Sequence, residues 1–554
     1  MSKRFVQHLL TTAACASLLA LAACGGGGAD APVNPPVSAA TRAILDADPG
    51  EYANLPVLAS PGYVLAGRVA PRSAAELAAA GLGNHVMIGG ETTDRGFSTF
   101  ANWREFLGPL GASKVRVQPG WNDVEKVITT PATYDFAKFD EIVDGALAQK
   151  VHPFVSLGYG NERPGCTNCG SKGLGGAFPT AEGKVRWMNF VTAIVTRYKD
   201  KVTDWQIWNE PNGNLATLDT YKVFIVDVAK EIKRIQPQAK ITIGAFLDTT
   251  YAFNGGSASN IARMNYIETS LKYFNDNKGP TVPSADILVG FHPYTQNVDY
   301  DTKFYDGVSM DRFLALVRSY GFTPIMDENG APSTPCGVYA MCNNFTTPWS
   351  QGNQAKYNLR RVLGDLGRGI ETSTFTITDM HYDDAKNTKG LLETGVWNAA
   401  QDTPFQNGDQ TVTGKKIAFG AFQNVNALFD QRAVPVFDHG CTVPAGYAVY
   451  AWSRMVAGQR QVLLSAWQKT VLPTPSLAKS DITIECSKLS LPQSAARGET
   501  PFYVDMMDGR AYAMPATAVA DNNPATARLK LTVPVGDWPV LITDRAVVPL
   551  LPLK

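Results

Sequence analysis

The residues of this chain best placed to do chemistry are carboxylates at the ends of apolar strands. One lies in Asp204-Trp205-Gln206-Ile207-Trp208-Asn209-Glu210-Pro211-Asn212-Gly213. Trp205, Ile207 and Trp208 suit an enclosed pleated surface, and Pro211 to Gly213 break it. Glu210 is the last ionisable group before the break, where a carboxylate is costly unless it is solvated, paired or in use. The second lies in Pro324-Ile325-Met326-Asp327-Glu328-Asn329-Gly330, three strand–helix units later. Two carboxyl groups facing each other across a cleft can act as proton donor and as nucleophile or base. The bland alternative is a pair of strand-end ion pairs. Adjacent strand residues point to opposite sides, so one of Asp327 and Glu328 is expected to face inward. Arg116 ends another strand and could lower a carboxylate's pKa by its charge, and Tyr294 could do so by a hydrogen bond. His292 is either a substrate contact or a core histidine. Trp121, Tyr159 and Trp397 are candidate stacking platforms for a ligand ring, although aromatics at loop starts are as often packing.

The elements that must position these residues alternate between strand and helix from Asn84 onward. Expected strands are His85–Gly89, Lys114–Gln118, His152–Leu157, Asp204–Asn209, Lys240–Ala245, Ile287–Phe291, Pro324–Asp327 and Thr374–Thr378. Between them, Phe136–Gln149, Ala181–Tyr198, Leu218–Ile235, Ile261–Asn275 and Met310–Tyr320 carry apolar residues at helical spacing. Eight such units predict an α/β fold, a (β/α)8 barrel over 84–425, whose functional groups sit at the C-terminal ends of the strands. The rival, an open doubly wound sheet, lacks a Gly-rich phosphate fingerprint after a first strand. Over 426–554 short strands alternate with Pro, Gly and Asp, which predicts an antiparallel β-sandwich. Residues 25–83 read as a flexible tether and N-terminal extension. Its Tyr63-Val64-Leu65 either packs outside the barrel or lends a strand to the sandwich.

The chain has 554 residues, with 50 Lys+Arg balancing 50 Asp+Glu, so net charge gives no argument for nucleic acid as a partner. Residues 1–24 read as a signal: Lys3 and Arg4, then an apolar run too short to span a bilayer stably. Leu21-Ala22-Ala23-Cys24 resembles a bacterial lipobox, which implies lipidation of Cys24. Gly25 after it resembles outer-membrane sorting in Gram-negative bacteria, with plain secretion as the alternative. Six cysteines remain in the exported chain. Proximity suggests Cys166–Cys169, Cys336–Cys342 and Cys441–Cys486, with other pairings open. The first two pairs fall on loops of the face where the strands end, where they would stiffen the cleft. Of the six His, none forms a His-x-His or His-Glu-x-x-His pattern, so neither a metal nor a cofactor is expected.

Trp208-Asn209-Glu210-Pro211 resembles the fourth-strand signature of the clan A retaining glycoside hydrolases. The resemblance implies that Glu210 is the general acid/base and that Asn209 holds a sugar hydroxyl. The segment around Glu328 resembles the seventh-strand nucleophile of the same clan and selects Glu328 over Asp327. Arg116 and Tyr294 match clan partners of that nucleophile. Arg116 to Trp121, Asp123-Val124-Glu125 and Tyr134-Asp135-Phe136 look like family 39 in particular, which includes xylosidases, iduronidases and exopolysaccharide endoglycosidases. One departure stands out. Where many clan members end strand eight with Trp, this chain has Thr376-Ile377-Thr378-Asp379-Met380-His381-Tyr382, so Asp379, His381, Tyr382 or Trp397 is expected to meet the sugar. The expected function is retaining hydrolysis of an extracellular poly- or oligosaccharide by a lipid-anchored monomer. The alternative is a carbohydrate-binding or assembly lipoprotein on the same scaffold.

Overall fold

The structure is a computed structural model of the whole chain. It describes 34–551 apart from 174–176, 214–216, 248–257, 296–297, 300–307, 335–348, 382–385, 396–409, 470–472, 475–478 and 493–499. Cys24, Cys336, Cys342, Tyr382 and Trp397 lie outside the described residues.

Eight parallel strands close into a barrel: Val86–Gly89, Lys114–Val117, His152–Leu157, Asp204–Ile207, Lys240–Leu247, Ile287–His292, Thr323–Met326 and Glu371–Thr374. They are referred to below as strands one to eight. Their residues are buried almost throughout, as expected of strands enclosed on one side by a filled barrel and on the other by helices. The helices include Phe100–Leu110, Ala137–Ala148, Ala181–Tyr198, Leu218–Ile235 and Ile417–Leu428. Leu218–Ile235 shows the cause most plainly. Tyr221, Phe224, Ile225, Val228, Ala229 and Ile232 form one apolar stripe, Thr217 caps the start through the N–H of Thr220, and Lys233 and Arg234 sit at the negative end of the helix dipole.

One element lies elsewhere than the sequence reading places it. Strand eight is Glu371–Thr374, not Thr374–Thr378. The expected residues lie beyond it, where the chain bends across the barrel mouth: Ile377 N–H donates to the Gly89 carbonyl, and Thr378 bridges to Leu392. The run Thr374 to Thr378 has β-favouring residues whichever way it goes, so its register is decided by tertiary pairing. Helix Gln351–Gly367 is buried on every side despite its polar text. It lies between the barrel and the C-terminal sheet. Its charges are paired there, Arg360 with Asp299 and Lys356 with Asp537 at 3.3 Å, and its Tyr357 hydroxyl donates to the Thr295 carbonyl.

The C-terminal region is a sandwich of two antiparallel sheets, one of eight strands and one of four. Val64–Val69 belongs to the larger sheet, between Arg510–Ala513 and Leu550–Leu551. Strand Gln459–Gln468 shows how that sheet serves two cores. Val462 and Leu464 face the smaller sheet beside Ile482, Ile484 and Leu531, whereas Leu463 and Trp467 join the barrel core. The period of two in this strand therefore separates two apolar faces rather than an apolar face from a wet one. A disulfide joins Cys441 to Cys486 directly across the ladder of the smaller sheet.

Candidate active site

Strand four ends at Ile207, and the next three residues turn sharply. Trp208 (φ 67°) and Glu210 (φ 48°) both adopt left-handed conformations, which cost energy for residues with a side chain. Trp208 N–H donates to the Leu157 carbonyl and Glu210 N–H to the Ala245 carbonyl, so backbone bonds to the neighbouring strands hold the turn. The turn points Asn209 and Glu210 into the barrel mouth. Ring contacts from Phe178, Trp187 and Phe224 enclose Trp208 from behind.

Opposite stands Glu328, just past the end of strand seven. Its Oε2 accepts from Arg116 Nη1 at 2.6 Å and its Oε1 from the Tyr294 hydroxyl at 3.0 Å. His292 sits between the two glutamates. Its Nδ1 is 2.8 Å from Glu210 Oε1 and 3.7 Å from Glu328 Oε2, and its Nε2 is 3.5 Å from Asp327 Oδ2. One ligand-type atom from each of Glu210, His292 and Glu328 lies within 4.8 Å of the other two. These three are the group among the described residues with metal-ligand spacing; within it His292 hydrogen-bonds Glu210 and forms an ion pair with Glu328.

Glu328 sits among cations and hydrogen-bond donors. Burial pushes the Glu328 carboxyl up, but the charges of His292 and Arg116 and the bonds from Arg116 and Tyr294 outweigh it and hold the group below its ordinary value. Burial pulls His292 down, yet Glu328 and Asp327 outweigh it and raise the imidazole to about 10, so it is an imidazolium at neutral pH. Burial brings Lys389 down to about 8 against the pull of Glu328 and Glu210, with its Nζ 4.8 Å from the centre of the Tyr294 ring. The Tyr294 hydroxyl is raised well above its usual range by burial and by Glu328, so it remains a donor.

Arg116 ties the floor of the site together. Besides Glu328 it donates to Glu91 Oε1 (2.7 Å), Gln206 Oε1 (2.8 Å) and Asn209 Oδ1 (2.6 Å). Asn209 passes the bonding on, its Nδ2 donating to the Tyr159 hydroxyl at 2.9 Å. The Pro293 carbonyl, between His292 and Tyr294, accepts from Asn329 Nδ2 and Arg361 Nη2, which fixes that stretch against strand seven and the helix behind it.

The structure thus gathers Glu210, Glu328, Asn209, Arg116, His292, Tyr294 and Tyr159 around one point. Tyr159 takes part through its hydroxyl rather than as a platform, since its ring is buried, edge-on to Trp208 and 5.3 Å from the Arg95 guanidinium. Trp121 is not a platform either. It is fully buried, stacked on Phe190, with its indole N–H donating to Glu125 Oε2. A loop-start Trp followed four residues later by Glu makes a local pair that packs inward. Asp379 and His381 are likewise engaged in tying the segment after strand eight together. Asp379 Oδ1 accepts from Lys416 Nζ at 2.6 Å, and His381 Nε2 meets Thr394 Oγ1 at 2.9 Å. Alternation does not separate Asp327 from Glu328, because the strand stops at Met326. Asp327 turns inward beneath the site, fully buried and bonded by Gln206 Nε2, and Glu328 turns into the mouth above it. The disulfide Cys166–Cys169 lies on the loop after strand three, at this same face, with the Cys169 carbonyl accepting from Asn161 N–H. Sequence reading missed Glu91, Gln206 and Lys389. Gln206 carried a signal, a polar residue inside the apolar run Trp205 to Trp208. Glu91 followed Gly89-Gly90 at a strand end, and Lys389 had no signal at all.

No protein-family model matches the chain, and neither does any curated protein. Solved structures do match. A family 39 glycoside hydrolase from the gut symbiont Bacteroides cellulosilyticus WH2 superposes with a TM-score of 0.54 at 13% identity, covering 84% of this chain and 81% of that one. A family 39 enzyme from Xanthomonas axonopodis pv. citri gives 0.47 at 16% identity, over 88% and 98% of the two chains. A glucosidase from Croceicoccus marinus gives 0.46 at 14%, over 84% and 97%. The chain has the barrel-and-sandwich fold of the first of these.

Proposed function

We propose that this chain is a retaining glycoside hydrolase. The observation that carries the reading is the spacing of Glu210 and Glu328, whose nearest oxygens lie within 4.8 Å, joined to the unequal surroundings of the two groups. Retaining enzymes place their carboxyl groups about 5–5.5 Å apart, whereas inverting enzymes leave roughly 6.5–9.5 Å for a water. Glu328, kept ionised by His292, Arg116 and Tyr294, is the nucleophile. Glu210 is the acid/base. Its Oε1 is occupied by His292 Nδ1, which leaves Oε2 to carry the transferable proton.

In the first step a Glu328 oxygen attacks the anomeric carbon, the bond to the leaving oxygen breaks, and that oxygen takes the Glu210 proton. In the second step water attacks the same carbon, gives its proton to Glu210, and Glu328 leaves as a carboxylate. Asn209, held by Arg116 and Tyr159, orients a ring hydroxyl beside the reacting carbon. The substrate is an extracellular poly- or oligosaccharide, and the Leu21-to-Cys24 lipobox anchors the enzyme at the outer membrane.

An activated fluoro-sugar tests the assignment. Dinitrophenyl fluoro-glycosides should form a covalent adduct, and peptide mass spectrometry should find it on Glu328. A label on Asp327, or turnover of the parent sugars without any adduct, would overturn the assignment. Incorporation of labelled palmitate at Cys24, lost in Cys24→Ser, tests the anchor.

A further inference from the structure

The arrangement around Arg116 contains a third carboxylate with no place in the two-step reaction. Glu91 lies two residues past strand one and is buried. Its Oε1 accepts from Arg116 Nη1, the same nitrogen that donates to Glu328 Oε2, at 2.7 and 2.6 Å respectively. One guanidinium nitrogen therefore serves two carboxylates. Glu91 Oε2 is buried with no hydrogen-bond partner, turned back against Gly89. A Cβ at position 89 would collide with that carboxylate, so the glycine is what lets Glu91 fold under Arg116. A buried carboxylate satisfied on one oxygen only is expensive, and a purely structural partner for Arg116 could be a neutral amide at lower cost.

We propose that Glu91 is a positioning residue that shares the Arg116 charge with the nucleophile, so that Glu328 remains ionised but only partly compensated and therefore reactive. The proposal rests on the glycosidase reading. Glu91 acts through Arg116 and does not touch substrate. When Glu328 becomes an ester in the glycosyl-enzyme and loses its charge, the Arg116–Glu91 pair stays balanced, so the guanidinium is not left as an isolated buried cation. Burial, only partly offset by Arg116 and reinforced by Glu328, brings Glu91 up to about 7. Its ionisation therefore changes in the working pH range. The charged and titratable groups that act on it are Arg116 on strand two, Glu328 after strand seven and Tyr294 just past strand six, and Arg116 in turn feels Asp327. The sign is fixed by geometry. An ionised Glu91 competes for Arg116 and raises the basicity of Glu328, and a protonated Glu91 releases Arg116 to Glu328 alone.

The test uses the rate of covalent trapping by a dinitrophenyl fluoro-glycoside. Dinitrophenolate departs with its bonding pair and needs no proton, so Glu210 does not enter the pH profile. Wild-type protein should show two rising inflections, one below the ordinary carboxylate range from Glu328 and one near neutrality from Glu91. Glu91→Gln keeps an acceptor for Arg116 and removes the charge. It should lose the upper inflection and level off about three- to tenfold below the wild-type plateau, a modest Brønsted effect of a less basic nucleophile. Gly89→Ala, which displaces Glu91 without changing its charge, should move the upper inflection in the same experiment. A wild-type profile with one inflection, matched by Glu91→Gln, overturns the proposal even if Glu91→Gln is less stable. The wild-type measurement stands alone should Glu91→Gln fail to fold. Absence of any adduct on wild-type protein with the accepted sugars overturns the glycosidase reading itself, and this inference with it.

Discussion

Tyr294→Phe removes one hydroxyl and keeps the ring beside which Lys389 sits. The hydroxyl donates to Glu328 Oε1 at 3.0 Å, whereas Arg116 and His292 both lie on the Oε2 side, at 2.6 and 3.7 Å. No remaining group among these takes over the bond to Oε1. A hydrogen bond to a charged acceptor contributes about 1.5–3 kcal/mol, and it favours the ionised carboxyl over the protonated one. At about 1.4 kcal/mol per pKa unit, losing it should raise the Glu328 pKa by roughly one to two units. Arg116 and His292 still favour the ionised form. The assay is the pH dependence of trapping by a dinitrophenyl fluoro-glycoside. The acid limb should move to higher pH by about that amount. An unmoved limb, or one displaced to lower pH, would show that Tyr294 does not stabilise the ionised nucleophile and would refute the reasoning.

Glu328→Gln should abolish turnover with the fold intact by circular dichroism; retained activity would remove it as nucleophile. Glu210→Gln should slow hydrolysis of natural linkages by about a hundred- to ten-thousandfold. It should spare the first step with a dinitrophenyl leaving group, as burst kinetics would reveal. His292 has a folded-state pKa raised from 6.5 to about 10, so its contribution to stability is complete below pH 6.5 and is lost as pH rises through about 10. Thermal unfolding across that window should show the loss, and His292→Phe should flatten it. Cys441→Ser with Cys486→Ser opens a link of sequence separation 45 and should cost about 2–4 kcal/mol in chemical unfolding, with kcat/KM unchanged.

Helices Ala181–Tyr198 and Leu218–Ile235 were legible to the residue, because each carries its own apolar stripe and its own stop. The barrel followed from eight such units in alternation. The carboxylate pair was legible for a different reason: Glu210 and Glu328 each stand at the break of an apolar strand, and a (β/α)8 barrel brings all such breaks to one face.

The sequence by itself determined these local facts, since strand ends, caps and helix stripes depend on neighbours within a few residues. The tertiary structure decided which side chains the mouth uses and which it buries. Trp121 and Tyr159 look alike at loop starts, yet one stacks on Phe190 in the core and the other offers its hydroxyl to Asn209. Asp327 and Glu328 are separated by the strand ending at Met326 rather than by alternation. Glu91 and Glu328 share Arg116, a contact between strands one, two and seven that no spacing along the chain encodes. The opening stretch, Asp204 to Gly213, spans both cases. Its strand and its break are local, but the left-handed turn that aims Glu210 at Glu328 is held by hydrogen bonds to Leu157 and Ala245 on the neighbouring strands, and such bonds exist only once the barrel has closed.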